Sequence, residues 1–248
     1  MQDKTAMQET ASASTNRLML AIHWLWQREL PVLLAIFATF VSLFLFVLLT
    51  QLALQEQPHE LDRYLLLLMR NPHDLSDPLG PPWLEEVGRD ITALGGNAVL
   101  ILLTLAVLIF LLMSDKSYLA LVVLVATLGA LGASSLLKKS IDRDRPDLVP
   151  HRTVIYTASF PSGHSMLSAS TYLTLGALLA ATQRRKRIKI FILLFCTFIT
   201  LLVGISRVYL GVHWPSDVVA GWTAGAAWAL ICWLLARGLQ RANNRDHA

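Results

Sequence analysis

Three short polar segments interrupt an otherwise apolar chain, and their side chains are of the kinds that bind and cleave phosphate esters. They occupy residues 138–146, 161–164 and 206–217. Between them they hold basic residues, a turn containing glycine, two histidines and several carboxylates. Phosphoryl transfer depends above all on positioning and on stabilising negative charge. Together the three segments supply both, so they predict a phosphate-cleaving site.

The first segment carries cations suited to phosphoryl oxygens. Lys138 and Arg145 are seven residues apart, and Pro146 stiffens the chain that follows. Arginine recognises phosphate through two parallel hydrogen bonds, whereas lysine supplies a compact positive charge. Lys139 and Arg143 are close enough in sequence to share this work. Taken alone, the pair has a simpler explanation, in which a lysine at a helix end and a solvated arginine reach for water.

The second segment, Pro161-Ser162-Gly163-His164, directly precedes an apolar run and is typical of a helix start. Amide groups and the helix dipole at such a start favour an anion, and Gly163 lets the backbone approach it closely. His164 is suited to give a proton to a leaving oxygen. The alternative is an ordinary helix cap beside a lone interfacial histidine.

The third segment contains Ser206-Arg207, followed by His213 and, four residues later, Asp217. A carboxylate can hold a histidine in one tautomer, which leaves the other ring nitrogen free to attack phosphorus. Asp217 is also a suitable N-cap for the helix that follows, and the two roles are compatible.

The composition indicates an integral membrane protein. Of the 248 residues, 54% are hydrophobic and 15% are charged, below the roughly 25% charged residues of soluble domains. The pI near 9.3 raises the question of nucleic acid, but the basic residues are placed for a membrane protein and we expect no such partner. Cys196 and Cys232 lie inside apolar runs and are interpreted as small hydrophobes. No cluster of Asp and Glu suggests a metal site.

Six apolar stretches have about the length of a membrane span, close to 20 residues. We therefore predict an all-α bundle of six transmembrane helices, since lipid requires internally satisfied backbones. None of the stretches contains Asp, Glu, Lys or Arg, and the charges lie at their ends; the stretches are 30–55, 91–114, 117–137, 165–183, 190–206 and 218–236.

The basic residues predict a bacterial inner-membrane protein with both termini in the cytoplasm. This arrangement puts 12 of the 21 Lys and Arg inside, including the basic loop 184–189, and it puts all three polar segments outside. The predicted parts are a cytoplasmic tail 1–29, a membrane domain 30–238 with outer loop 54–90, and a cytoplasmic tail 239–248. Loop 138–163 is basic although this orientation places it outside, and its cations either hold an anion or are offset by neighbouring acids.

The first apolar run is too long for a signal peptide and is expected to remain as a helix.

Segment 71–90 is rich in proline and glycine and ends in an amphipathic pattern. Trp83, Leu84, Val87 and Ile91 share one helical face, so we expect an extracytoplasmic interfacial helix. A plain connector and a gate for substrate are both compatible with this pattern.

The spacing of the polar residues resembles the three-part signature of the type 2 phosphatidic acid phosphatase superfamily, the lipid phosphate phosphatases. Its elements are Lys138, six residues, Arg145-Pro146; then Pro161-Ser162-Gly163-His164; then Ser206-Arg207, five residues, His213, three residues, Asp217. The signature covers about 80 residues, and no motif position departs from it.

This resemblance implies a phosphatase without metal or other cofactor. It implies that His213 is the nucleophile, that Asp217 orients it, and that His164 is the acid and base. It further implies a set of phosphate-binding residues, namely Lys138, Arg145, Ser162, Gly163 and Arg207. The substrates it suggests are undecaprenyl diphosphate, phosphatidylglycerophosphate, phosphatidate and lipid A phosphates, the first two fitting an outer-facing site best.

Other functions remain open at this point. A phosphotransferase would pass the phosphoryl group to an acceptor other than water. A lipid transporter would need charges within its spans, and a non-catalytic headgroup-binding relative should lack one of the histidines. A related haloperoxidase would be soluble. The sequence leaves the oligomeric state undetermined.

Overall fold

The computed structural model of the protein describes residues 29–55, 58–149 and 157–246, with side chains up to residue 240. Within these residues the chain forms eight helices and one short antiparallel hairpin, and the predicted all-α class is confirmed. The helices are α1 Glu29–Ala53, α2 Glu60–Leu67, α3 Pro82–Ala93, α4 Asn97–Met113, α5 Ser117–Ser140, α6 Gly163–Thr182, α7 Lys186–Tyr209 and α8 Pro215–Asp246, and the strands are β1 Arg70–Asn71 and β2 Asp74–Pro78.

The membrane spans agree with the six predicted stretches, with one difference in the second. Five helices (α1, α5, α6, α7 and α8) are individually long and apolar enough to cross a membrane, and the count reaches six if α3 and α4, which meet at a bend of 44°, are taken as one span. We expected one helix over 91–114, but the chain breaks at residues 94–96, which include Gly95 and Gly96. The first three residues of that stretch therefore belong to α3.

The two predicted cytoplasmic tails lie at the limits of the residues that the structure describes. The N-terminal tail lies outside the described residues except for Glu29, which begins α1, and Arg152 of the basic loop also lies outside them. At the other end α8 continues as a helix to Asp246. Residues 29–38 belong to a compact unit separate from Thr39–Ala248, and the whole candidate site lies in this second unit.

Helix α6 packs against α5, α7 and α8 and is the most buried of these spans. Helix α8 approaches it closely because Gly221 and Gly225 face its first turns. A Cβ at Gly221 would lie 2.6 Å from the Ser162 carbonyl oxygen, and one at Gly225 would lie 2.4 Å from that of Met166. Small residues four apart permit this kind of contact between membrane helices, and it brings the starts of α6 and α8 together.

The predicted outer segment, here residues 58–93, is more ordered than its proline and glycine content predicts. It contains α2, the β1–β2 hairpin and α3, which begins with Pro82 at its first turn. The expected amphipathic helix is therefore present as α3, with Trp83 and Val87 exposed. Its position at the outer leaflet stays a prediction.

Candidate active site

The three polar segments meet where α5 and α7 end and where α6 and α8 begin, around a cavity of about 1040 Å³. Six of the eight predicted site residues line this cavity, namely Lys138, Arg145, Gly163, His164, Arg207 and His213. Asp217 and Ser162 are fully buried behind its wall. The Ser162 hydroxyl accepts hydrogen bonds from the amide and the hydroxyl of Ser165. It serves as the N-cap of α6 and does not face the cavity.

His213 sits in the tight turn between α7 and α8. Gly211 makes this turn possible, since it has φ of +72°, a conformation that side chains disfavour. The ring of His213 is 2% exposed. Its Nε2 lies 3.3 Å from Arg145 Nη1 on the cavity side, and its Nδ1 lies 3.5 Å from Asp217 Oδ2 on the buried side.

Asp217 is the third residue of α8, and both of its carboxylate oxygens are engaged. Oδ2 accepts hydrogen bonds from the Trp214 amide (2.9 Å) and from the Ser159 hydroxyl (2.5 Å). Oδ1 accepts one from Arg143 Nη1 (2.6 Å). Asp217 therefore reaches back from the first turn to the capping position, instead of occupying the N-cap as the sequence suggested, while it also faces His213.

Two of the predicted cations are oriented by backbone carbonyl oxygens. Lys138 Nζ donates to Ala158 O (2.7 Å), and Arg145 donates to Val212 O (2.6 Å) and Thr157 O (3.0 Å). A carbonyl group fixes a cation in place without cancelling its charge. Both side chains can therefore present positive charge to the cavity.

Arg207 is the third of the predicted cations on the cavity wall. Its Nη1 donates to the hydroxyl of Thr92 on α3 at 3.2 Å. Its buried Nε finds no hydrogen-bond partner among the described residues. An unsatisfied buried N–H costs about 1–3 kcal/mol, and an anion in the cavity would relieve that cost.

The sequence left the roles of Lys139 and Arg143 undecided, and the structure separates them from the cavity. Lys139 is exposed. Arg143 is buried and forms ion pairs with Asp217 and with Asp62 of α2. Its charge is used within the protein, behind the side of the site that holds His213.

Sequence reasoning missed three residues that contact the site: Ser159, Thr92 and Asp62. Ser159 lies 3.3 Å from His213 Nδ1. Each reaches its partner across at least 50 residues of chain. No periodicity or motif spacing spans such separations, so the sequence contained no signal for them.

Burial lowers the pKa of both predicted site residues that lie in loops, His213 and Arg145. It lowers the pKa of His213 to about 3, and the hydrogen bond and charge of Asp217 offset only part of this effect. Burial also lowers the pKa of Arg145. His213 is therefore neutral at pH 7, as a nucleophile must be. Among the described residues no group of three His, Cys, Asp or Glu side chains could hold a metal ion.

Known proteins share both this sequence pattern and this fold. The sequence profile described as "PAP2 superfamily" matches residues 117–241. Phosphatidylglycerophosphatase B of Bacillus subtilis (strain 168) is 33% identical over 171 residues, covering 66% of this chain and 79% of that protein. An undecaprenyl-diphosphatase of Sulfolobus acidocaldarius is 38% identical over 68 residues, covering 27% of this chain and 29% of that protein.

A solved structure extends the similarity over most of the chain. It is the crystal structure of a transmembrane PAP2-type phosphatidylglycerolphosphate phosphatase from Bacillus subtilis, with a TM-score of 0.71 and 27% identity. The match covers 83% of this chain and 97% of that one. The resemblance inferred from the three polar segments is thus confirmed, and this protein belongs to the PAP2 superfamily.

Proposed function

We propose that this protein hydrolyses the phosphate of a membrane lipid phosphate or diphosphate through a phosphohistidine on His213. One observation carries the proposal: Nε2 of a buried, neutral histidine faces a cavity whose lining includes the cations Lys138, Arg145 and Arg207, while its Nδ1 faces a buried carboxylate. The relatives named above are phosphatases of lipids by name, which supports this substrate class.

In the first step, His213 Nε2 attacks phosphorus and forms a P–N bond as the P–O bond to the lipid breaks. Lys138, Arg145 and Arg207 hold the phosphoryl oxygens, and the amide at Gly163 at the start of α6 adds a further donor. His164, on the cavity wall, gives its proton to the leaving oxygen. The lipid alcohol, or the lipid monophosphate from a diphosphate, is released.

In the second step, water attacks the phosphohistidine and the P–N bond breaks. His164 takes the proton of the water, returning to the protonated state it had at the start. Inorganic phosphate leaves the cavity, and His213 is neutral again. The same cations stabilise the charge that develops in both steps.

The apolar spans support a lipid substrate, because the charged site sits at their ends, where a headgroup would enter while its tails stay in the bilayer. We place the site on the outside and both termini in the cytoplasm, as the basic residues predict. Phosphatidylglycerophosphate and undecaprenyl diphosphate are the first substrates to test, since relatives are named for them.

The proposal is tested by phosphate release from purified protein in detergent, with EDTA present. The substrates are phosphatidylglycerophosphate, undecaprenyl diphosphate, phosphatidate and lipid A. His213→Ala should lose at least about 10⁴-fold in kcat. His73→Ala, which removes an exposed histidine of the hairpin turn, should keep normal activity. Equal release by wild type and His213→Ala would contradict the nucleophile, and a strict need for added Mg²⁺ would contradict the cation site.

A further inference from the structure

We propose that Ser159 is a positioning residue, whose hydroxyl joins Asp217 to His213 and holds that ring with its proton on Nδ1. The idea rests on the proposed function, in which His213 Nε2 is the nucleophile. Ser159 lies just before the second polar segment, and it is fully buried.

The distances favour a link through the hydroxyl over a direct bond. Asp217 Oδ2 and His213 Nδ1 are 3.5 Å apart, a long contact for an N–H···O bond. Ser159 Oγ lies beside both atoms, 2.5 Å from Oδ2 and 3.3 Å from Nδ1, and is the nearer of the two acceptors to the ring. The carboxylate therefore acts on the ring partly by way of the serine.

The proton count then fixes the tautomer. A serine hydroxyl has one proton, and an ionised carboxylate can only accept. Because Oγ is so close to Asp217 Oδ2, its proton goes to the carboxylate. Only lone pairs of Oγ remain for His213, so Nδ1 must be the donor and carry the ring proton.

The other side of the ring requires the same tautomer. Arg145 Nη1 lies 3.3 Å from His213 Nε2, and a guanidinium has donors but no acceptor. Nε2 must therefore present its lone pair. Two neighbours from different segments thus agree, and the lone pair lies on the cavity side, where phosphorus would be attacked.

Asp217 is held in place by other groups, so it cannot move closer to His213 if the Ser159 hydroxyl is lost. The Trp214 amide binds Oδ2, and Arg143 binds Oδ1. Ser159 is fixed as well, since its amide donates to the Arg143 carbonyl oxygen at 2.9 Å. Loss of the hydroxyl would therefore leave His213 Nδ1 without a well-placed acceptor.

The test compares Ser159→Ala, which removes the hydroxyl, with Ser159→Thr, which keeps it. Ser168→Ala is the matched control, because it removes another fully buried hydroxyl, one that donates to the Ser165 carbonyl oxygen within α6. The ¹⁵N shifts of labelled His213 report its tautomer directly, whether or not a substrate has been found. Phosphate release from a lipid phosphate gives kcat and KM.

In wild type and Ser159→Thr we expect the proton on Nδ1. In Ser159→Ala we expect a substantial population with the proton on Nε2, and a kcat lower by roughly 10–100-fold, as for loss of other orienting partners. Ser168→Ala should resemble wild type in both measurements. If Ser159→Ala fails to fold, Ser159→Cys, whose thiol is a weak donor and acceptor, takes its place.

An Nδ1–H ring in Ser159→Ala with kcat within about threefold of wild type would overturn the proposal and would favour direct action of Asp217. So would an Nε2–H ring in wild type. Inactivity of every variant together with wild type would count against the proposed function, while the tautomer measurement would still decide the role of Ser159.

Discussion

Arg143 forms an ion pair with Asp62, 2.9 Å from Nη2 to Oδ2, that ties the loop after α5 to helix α2 of the outer segment. The same guanidinium binds Asp217. Asp62 also accepts hydrogen bonds from the amide and the hydroxyl of Ser216 (2.8 and 2.5 Å). Its carboxylate thus caps the start of α8 from another part of the chain. The predicted outer segment is therefore fastened to the residues that hold His213.

Replacing Asp62 with Asn is expected to lower both stability and activity. The variant leaves Arg143 with one carboxylate instead of two, and breaking a buried pair costs up to about 3–5 kcal/mol. The thermal midpoint in detergent should fall, and kcat/KM should fall by roughly tenfold because Asp217 is less well held. Asp142→Asn is the control, because it changes an exposed acid next to Arg143 in the loop after α5. Unchanged stability and activity in Asp62→Asn would show that the ion pair is dispensable.

Replacing Thr92 with Val should weaken the hold on substrate phosphate. Val has the same shape but offers no acceptor to Arg207 Nη1, so the guanidinium loses its contact with α3. We expect kcat/KM to fall by at least about tenfold, because one lost hydrogen bond to a charged group costs about 1.5–3 kcal/mol. Thr92→Ser keeps the hydroxyl and should stay near wild type. Equal kinetics for the Val and Ser variants would remove Thr92 from the site.

His213 is expected to remain neutral across the physiological range. Burial lowers its pKa to about 3, well below the usual pKa of about 6.5 for histidine. Ring signals from labelled histidine, assigned by comparison with His213→Gln, should therefore not shift between about pH 5 and pH 8. A titration of this ring near pH 6.5 would mean that its environment is more polar than the structure shows.

Gly221→Ala should disturb the site through helix packing alone. Its Cβ would lie 2.6 Å from the Ser162 carbonyl oxygen, a backbone atom that cannot turn aside. Helices α6 and α8 must then separate, which stretches the bond from the Ser162 amide to Asp217 O (3.0 Å). Overpacking typically costs about 1–3 kcal/mol, and activity should fall as well. Gly238→Ala on the same helix meets nothing within 4 Å and should be harmless; equal effects of the two changes would refute this account.

The side of the membrane can be tested with single cysteines in a chain from which Cys196 and Cys232 have been removed. Lys139 and Arg187 are both exposed, the first near the cavity and the second at the basic start of α7. A cysteine at Lys139 should react with an impermeant reagent on intact cells, and one at Arg187 only after the inner membrane is opened. The reverse pattern would invert the proposed orientation.

Much of this protein follows from local sequence patterns. Apolar runs of span length can only be helices in lipid, so the spans were predictable, except that the break at Gly95 looked like the interior of a helix. The family resemblance rested on fixed spacings within three short segments, and it pointed to His213, Lys138, Arg145 and Arg207, which lie at span ends or in the loops that follow them.

The sequence by itself determined the six apolar spans, the polar segments at their ends and the side chains available for phosphate chemistry. Only the tertiary structure decided that Ser159 contacts both His213 and Asp217, that Asp62 reaches Arg143, and that Thr92 holds Arg207. The physical reason is that these contacts join residues far apart in the chain. They exist because close packing of α6 with α8 and the folding of the outer segment bring their backbones together, and no local pattern encodes that packing.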